Sequence, residues 1–387
     1  MLKLSIFFRG LINSWRQIVY YDFDVNITVP FLNELILRSE QSNAKVRSIV
    51  CDMGNTHLLS KLGVYSEQKH YFPNPADENR RVYIIPDNPH CFKNMRNHTL
   101  DSSMIIKKSE NLSVVLDKNM FVRLIEDDKK REFKLCPKLS DIHVNARGHE
   151  RQRVKYATQL FSETIAGALK YLYGDEYSEQ AKIISLCDSY FDVMNTKQMY
   201  DVKKNRCALG IHEEEQFEIL NSMEELVSKM YFVTEKGNLS QKPFQKGITV
   251  AIKSVKDLYM EMKQEGWKYV ITRRVNQDAL ENGFSTVRYV GGDNNHPTAA
   301  NVCERIRLLC VSKNVKFVVE NPSVEIEEET TNFISAEILE CLAADFDEPA
   351  GKIILFTSIE ICSIISNILV LSHQYQSSKT QYFQVKM

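Results

Sequence analysis

The stretch KVRSIVCDMGN, at residues 45–55, decides the fold. Its apolar centre is short and bounded by polar residues, which is typical of a buried β-strand. The strand ends at Asp52, and Gly54 supplies a turn directly after it. Because α/β sheets present binding residues at the carboxyl ends of their strands, Asp52 is placed where a cleft is expected.

Segments on either side of this strand complete an α/β unit. Residues 2–8 and 17–24 are rich in Ile, Val, Tyr and Phe, and they predict two strands joined as a hairpin. Residues 29–43 carry apolar side chains at helical spacing, and residues 80–87 predict a further strand that Pro86 stops. The predicted order is strand, strand, helix, strand, strand.

The pattern changes from about residue 97, where long helical stretches begin. Apolar residues recur at intervals of three and four at residues 150–173, 179–197 and 213–232, and each stretch predicts an amphipathic helix. We therefore expect a mostly helical insertion that interrupts the α/β unit.

Composition excludes several classes of protein. The 387 residues suggest two or three structural units. Lys and Arg number 49 against 50 Asp and Glu, so any basic surface for nucleic acid must be local. The nine cysteines contain no CxxC pair, which indicates reduced thiols and neither a disulfide framework nor a zinc site.

Two apolar stretches could suggest a membrane. Residues 1–15 are interrupted too early by Arg9 to form a signal peptide. Residues 353–371 have the length of a marginal membrane span, but Glu360 lies in the middle, where a carboxylate is costly in lipid. We favour a buried segment there and expect no membrane association.

A second acidic stretch is NQDALENGFSTVRYVGGDNNHPT, at residues 276–298. It predicts a helix with Asp278 and Glu281 one turn apart, ending near Gly291 and Gly292. A solvated helix face explains such a pair without any function. Together with Asp52, the pair could instead bind Mg²⁺ for two-metal phosphoryl transfer, since Mg²⁺ prefers oxygen ligands.

The chain resembles the P-element family of DNA transposases, which is related to the THAP-domain transposases. Matching strings follow one another in order from about residue 8 to residue 307: SWRQIVYYDFD, SIVCDMGNTHLLSKLGV, YIIPDNPHCFKNMRNHTLD, GHERQRVKYATQLFSETIA, YFDVMNT, KPFQKGI and ITRRVNQDALENGFSTVRYVGGDNNHPT. Ile18 replaces the proline that is usual in the first string.

The resemblance implies an RNase H-like catalytic fold split by a mostly helical GTP-binding insertion. The implied boundaries give an N-terminal RNase H-like part at 1–96, the insertion at 97–265, a C-terminal RNase H-like part at 266–311 and a divergent tail at 312–387.

The resemblance also implies a catalytic site of three acids that hold Mg²⁺. Asp52 matches the second acid and Glu281 matches the third, so both are candidate catalytic residues and metal ligands. The first acid lies on a strand upstream of SWRQIVYYDFD. We expect that strand and acid to be missing from an N-terminally truncated copy, with impaired activity.

Three residues match family positions at the nucleotide, and two more are candidates beside them. Asp192 would bind the guanine base, because an ionised carboxylate accepts the two adjacent N–H donors of guanine. Asn195 would assist it, and the backbone of Val154 would approach the base. Lys138 would contact a phosphate, and Asp278 would support the nucleotide or the metal. Taken alone, each residue could equally be an ordinary surface or core residue.

Two functions remain open from the sequence. One is a nuclear, GTP-dependent transposase that cuts and joins DNA at transposon ends, with homo-oligomers as a further expectation. The other is a catalytically inactive, domesticated module that binds guanine nucleotide and DNA. Candidate contacts to DNA phosphates are Lys93, Arg96, Arg273, Arg274 and Arg288, with surface salt bridges as the alternative.

Overall fold

The computed structural model describes residues 2–11, 16–23, 27–42, 44–52, 56–64, 69–289 and 298–311. The strands are β1 Leu2–Arg9, β2 Arg16–Phe23, β3 Ser48–Cys51, β4 Tyr71–Asn74, β5 Asp77–Pro86, β6 Met104–Lys107, β7 Ser113–Leu116, β8 Met230–Val233 and β9 Leu239–Ser240. The α-helices are α1 Val29–Gln41, α2 Thr56–Lys61, α3 Asn88–Ser102, α4 Lys118–Lys129, α5 Asp141–Asn145, α6 Val154–Leu160, α7 Glu163–Tyr173, α8 Ser178–Met194, α9 Glu213–Ser228, α10 Pro243–Gln264, α11 Asp278–Tyr289 and α12 Ala299–Val311.

Strand β5 is the centre of a three-stranded mixed sheet. It pairs in parallel with β3 and antiparallel with β4. Alternate side chains of a strand point to opposite faces, and both faces of β5 are covered. Val82 and Ile84 pack in a core with Leu32 and Ile36 of α1, whereas Tyr83 and Ile85 pack on the other side of the sheet.

The predicted hairpin at the start of the chain is present. Strands β1 and β2 pair antiparallel, and β1 packs against α11. The Arg9 Nη1 atom donates to the carbonyl oxygen of Arg273 at 2.6 Å, and Arg274 Nη1 donates to the carbonyl oxygen of Leu11 at 3.2 Å. The hairpin is therefore tied to the segment that leads into α11.

The insertion contains a sheet that the sequence did not reveal. Strands β7, β6, β8 and β9 form an antiparallel sheet in that order, although β6 and β8 are more than 120 residues apart. Each strand has four residues or fewer, which is too short for its alternation of apolar residues to be distinctive.

The single helix predicted at residues 150–173 was wrong. A 3₁₀ helix at Gly148–Gln152 is followed by α6 and α7, which are separated at Phe161 and Ser162. Ser162 has extended backbone angles and its hydroxyl donates to the carbonyl oxygen of Gln159 at 2.9 Å. A serine that bonds the backbone in this way competes with helix continuation.

Helix α10 joins the insertion to the first sheet. It packs against β5 and α3, and the Ser254 hydroxyl donates to the carbonyl oxygen of Ile84 at 2.6 Å. A continuous core extends from Tyr83 through the insertion to Val275. The insertion and the α/β unit are thus packed as one body around shared apolar side chains.

Some predictions concern residues beyond the described ranges. The turn at Gly291 and Gly292 and the apolar stretch at 353–371 both lie outside them. Within the described ranges, none of the helices has the length and apolar character required to cross a membrane.

Candidate functional site

Two aspartates lie side by side where β3 and β5 end. Cys51 of β3 pairs with Pro86 of β5 in parallel register, so the residues that follow, Asp52 and Asp87, are neighbours. The Asp87 N–H donates to the carbonyl oxygen of Cys51 at 2.9 Å. Asp52 is half-buried and Asp87 is buried. The sequence placed Asp52 correctly at a strand end.

Asp87 connects two segments that are far apart in sequence. Its Oδ2 atom accepts the N–H of His90 at 3.0 Å and caps α3, while Oδ1 accepts the N–H of Gln277 at 2.8 Å. Gln277 directly precedes α11. Burial raises the pKa of Asp87 to about 7, and the charges of Asp278 and Glu281 also raise it, whereas the two backbone hydrogen bonds lower it.

Lys93 brings charge of the opposite sign to these acids. Its side chain is buried on α3, and burial lowers its pKa, whereas the nearby charges of Glu281, Asp87 and Asp52 raise it. The carboxylates of Asp52 and Glu281 therefore act on one buried ammonium group. The roles of Asp52 and Glu281 as metal ligands stay predictions.

The proposed surface role was wrong for three of the five candidate cations. Lys93, Arg96 and Arg273 are only 7, 1 and 9 % exposed, so none is an open contact for DNA phosphate. Arg96 donates to the carbonyl oxygen of Arg151 at 2.7 Å. These cations stabilise buried carbonyl and carboxylate oxygens.

The predicted metal ligands are of the chemical type that Mg²⁺ prefers, but there are too few of them for a complete site. Asp52 and Glu281 offer the carboxylate oxygens that Mg²⁺ prefers. The described ranges contain no group of three acids, histidines or cysteines placed to hold a metal ion. The described residues thus do not make up a complete metal site.

A separate pocket of about 700 Å³ lies within the insertion. Its wall is formed by the connection between α4 and α5, the junction of α6 and α7, the end of α8 and the loop that follows α8. A volume of this size suits a small-molecule ligand of nucleotide dimensions. Lys138, Asp192 and Asn195 all line it, so the structure brings together three of the five predicted nucleotide residues.

The pocket contains a cluster of paired charges. Asp188 and Asp192 are one turn apart on α8, and Lys203 Nζ lies 3.4 Å from Asp188 Oδ2 and 3.5 Å from Asp192 Oδ2. Arg206 Nε donates to Asp192 Oδ1 at 2.9 Å. Burial raises the pKa of Asp188, and the charge of Asp192 adds to that effect.

Sequence reasoning missed three members of this cluster. The spacing of Asp188 and Asp192 by four residues was a readable signal, because such residues share one helix face. Lys203 and Arg206 lie in the loop after α8, where nothing in the sequence indicates which way a side chain points. The structure assigns them to the pocket wall.

The other two predicted nucleotide residues lie elsewhere. Val154 begins α6 and Asp278 begins α11, and neither is among the residues that line the pocket. Asp278 Oδ2 lies 3.1 Å from Arg273 Nε in an ion pair. Their roles at the nucleotide stay predictions.

A series of hydrogen bonds connects the pocket to α11. Asn276 Nδ2 donates to Asn195 Oδ1 at 3.2 Å, and the Asp278 N–H donates to Asn276 Oδ1 at 3.2 Å. Beside it, the Thr272 hydroxyl accepts the N–H of Thr196 at 2.9 Å. The pocket residue Asn195 is therefore two hydrogen bonds away from the helix that carries Glu281.

Known proteins match both parts of this architecture. Residues 89–207 match the GTP-binding insertion domain of TNP-like proteins, and residues 274–301 match the TNP-like RNase H C-terminal domain. The Transposable element P transposase of Drosophila melanogaster is 32% identical over 329 residues, which are 79% of this chain and 42% of that protein. The chain thus spans less than half the length of this relative.

A solved structure shows the same fold. The Drosophila P element transposase strand transfer complex contains a chain that superposes with a TM-score of 0.70 at 29% sequence identity, covering 79% of this chain and 74% of that one. The expected α/β, RNase H-like fold with a mostly helical GTP-binding insertion is confirmed.

Proposed function

This chain belongs to the P-element-type family of DNA transposases, and we propose that it binds GTP in the pocket formed by the end of α8. One observation carries the proposal: the carboxylate of Asp192 faces this pocket while only 12% of its side chain is exposed. Among the described residues, no donor forms a hydrogen bond to its buried Oδ2 atom. A buried acceptor of this kind favours a ligand that brings its own N–H donors.

Guanine is the base that supplies such donors. Its N1–H and N2–H groups are adjacent and point the same way, so one carboxylate can accept both. Asn195 lies three residues from Asp192 at the end of α8 and offers an amide to the same ligand. Adenine lacks this donor pair, so the site would discriminate against it.

Exposed cations at the rim account for the phosphates. Lys138 is exposed and lines the pocket, where its ammonium group can neutralise a phosphate without a burial cost. The pocket wall therefore offers both a carboxylate for the base and an exposed ammonium group for the phosphates of a guanine nucleotide.

Titration of the full chain with GTP and with ATP tests this proposal. We expect GTP to bind at least tenfold more tightly than ATP, and Asp192→Ala to remove most of that preference, since each charged hydrogen bond contributes about 1.5–3 kcal/mol. Glu163→Gln is the matched control, because it removes a negative charge from the same pocket wall. Equal affinity for GTP and ATP in the wild type would refute the assignment.

A second proposed function is phosphoryl transfer on DNA. It is supported by Lys93, because the charges of both Asp52 and Glu281 act on its ammonium group. Transposon-end DNA as substrate, Mg²⁺ as cofactor, a nuclear location and assembly of several copies belong to this proposal. The alternative is a nucleotide-binding module that does not cleave DNA.

Assays of nicking and strand transfer of duplex DNA in the presence of Mg²⁺ distinguish the enzyme from the nucleotide-binding module. Cleavage that disappears in Asp52→Ala and Glu281→Ala, but persists in a Glu304→Ala control on the neighbouring helix α12, would support the enzyme. GTP binding without any cleavage, in a wild type that retains its fold, would support the module.

A further inference from the structure

We propose that Arg206 competes with the guanine base for Asp192, so that the protein carries an internal occupant of its own nucleotide site. The inference rests on the proposed function, because it takes Asp192 as the residue that binds the base. It goes beyond that function by assigning a regulatory contact to a side chain that would not touch the nucleotide.

The contact between Arg206 and Asp192 is a hydrogen-bonded ion pair between two elements of the pocket wall. Arg206 Nε donates to Asp192 Oδ1 at 2.9 Å, and both residues line the same pocket. Asp192 projects from α8, whereas Arg206 ends a short 3₁₀ helix at Lys204–Arg206 in the loop that follows α8. The two side chains therefore come from different elements and meet across the pocket wall.

The side chains of Asp192 and Arg206 differ in solvent exposure and therefore in their freedom to move. The side chain of Asp192 is 12% exposed and that of Arg206 is 48% exposed. The carboxylate is fixed in a buried position, while the guanidinium group can leave toward solvent at little desolvation cost. Arg206 is thus the member of the pair that moves when another donor arrives.

The chemistry of the two donors is alike. A guanidinium group and the edge of guanine both present N–H donors on nitrogens joined to one carbon, and a carboxylate accepts either arrangement. Arg206 already uses one acceptor position of Oδ1 and neutralises part of the carboxylate charge, which weakens what Asp192 can offer to a base. Guanine therefore binds Asp192 in competition with Arg206, and Lys203 at 3.5 Å from Oδ2 is a weaker competitor.

The competition has a defined thermodynamic signature. Adenine lacks the donor pair that engages Asp192, so the competition with Arg206 lowers the affinity for GTP and not the affinity for ATP. Removing Arg206 should therefore raise the affinity for GTP, leave the affinity for ATP unchanged and increase the GTP-to-ATP ratio. An ion pair with one exposed partner is worth a factor of about three to ten.

Calorimetric titration of GTP and ATP into the full chain tests the inference, with Arg206→Gln and Lys204→Gln as the matched pair. Lys204 lies on the same 3₁₀ helix but pairs with Glu215, at 2.7 Å, and not with Asp192. We expect Arg206→Gln to raise GTP affinity and the GTP-to-ATP ratio about three- to tenfold, and Lys204→Gln to have no such effect. In an Asp192→Ala background, Arg206→Gln should have no effect on the remaining affinity.

The outcomes separate the two proposals. GTP binding that depends on Asp192 but weakens in Arg206→Gln would show that Arg206 assists the nucleotide, which overturns the competition and leaves the GTP site standing. A gain that persists in the Asp192→Ala background would also overturn it. If neither the wild type nor Arg206→Gln binds GTP while both show the same thermal unfolding, the GTP site and the competition fail together.

Discussion

The carboxylate of Asp87 accepts the backbone N–H of Gln277 at 2.8 Å, and the two residues are 190 positions apart in the chain. Asp87 directly follows β5, as Asp52 follows the neighbouring strand β3, and Gln277 directly precedes the helix that carries Glu281. This hydrogen bond therefore joins the two parts of a unit that a large insertion divides.

Replacement of Asp87 should weaken the whole fold. Asp87→Ala leaves the N–H groups of His90 and Gln277 without their acceptor, and we expect the free energy of unfolding to fall by about 2–4 kcal/mol. Asp101→Ala, which removes an exposed ion pair from the same helix, should cost less than about 1 kcal/mol. Urea denaturation measures both variants, and equal losses would contradict the role of Asp87.

Asp87 should also make stability depend on pH. Its pKa is about 7 in the folded protein against 3.8 as the ordinary value, so between these values the folded state holds a proton that the unfolded state has released. The free energy of unfolding should therefore fall as pH rises through this window, by at most about 1.4 kcal/mol per pH unit.

The variant Asp87→Asn separates the contribution of Asp87 to this pH dependence from the contributions of other titrating groups. Wild type and variant share Asp188, whose pKa is also raised, so only the contribution of Asp87 differs between them. Urea denaturation from pH 5 to pH 8 in the presence of a chelator should give a flatter pH dependence for Asp87→Asn. Identical slopes for the two proteins would exclude Asp87 as the titrating group.

The buried threonine pair should couple the pocket to α11. The Thr272 hydroxyl donates to the carbonyl oxygen of Val193 at 2.6 Å and accepts the N–H of Thr196. Thr272→Val keeps the shape but removes both bonds, and it should cost about 1–3 kcal/mol of stability and also weaken GTP binding. Thr286→Val, on the exposed face of α11, should leave both unchanged.

A double-mutant cycle with Thr196→Val isolates the pair. Since Thr196 Oγ1 lies 3.0 Å from Thr272 Oγ1, the two losses should be non-additive by at least about 0.5 kcal/mol. Strict additivity would mean that the two hydroxyls act independently and that no coupling passes through them.

Lys138 should contribute affinity but no base selectivity. Because its exposed ammonium group would meet a phosphate, Lys138→Ala should weaken GTP and ATP binding alike, by about three- to tenfold, and should reduce the dependence of binding on salt. Lys134→Ala, an exposed lysine outside the pocket wall, is the control. A change in the GTP-to-ATP ratio would contradict a phosphate role.

The sequence predicted features that depend on neighbouring residues, but not contacts between residues that are far apart along the chain. The strand before Asp52 and the helix that carries Asp192 follow from local apolar patterns, and both are confirmed. The bond between Asp87 and Gln277 joins residues too far apart for any local pattern to indicate it. The approach of Arg206 to Asp192 depends on the path of an irregular loop, which spacing alone does not fix.

The resemblance to the family identified candidate nucleotide-binding residues that local sequence patterns could not identify. Asp192 and Asn195 are ordinary helix-end residues by composition, and only the family match singled them out for nucleotide binding. The structure places both on one pocket wall but leaves Val154 and Asp278 outside it. The family match alone did not show which of these residues share a cavity, because that depends on how α6 and α11 pack.

Recognition of the guanine base by Asp192 is tested most sharply by the affinities for GTP and for XTP, measured in the wild type and in Asp192→Asn. Xanthine keeps the N1–H donor but replaces the 2-amino group with a carbonyl oxygen, which pairs with an amide and is repelled by a carboxylate. If Asp192 binds the guanine base, the wild type prefers GTP and Asp192→Asn prefers XTP. Unchanged preference in the variant would contradict the account, because the base would then be bound elsewhere.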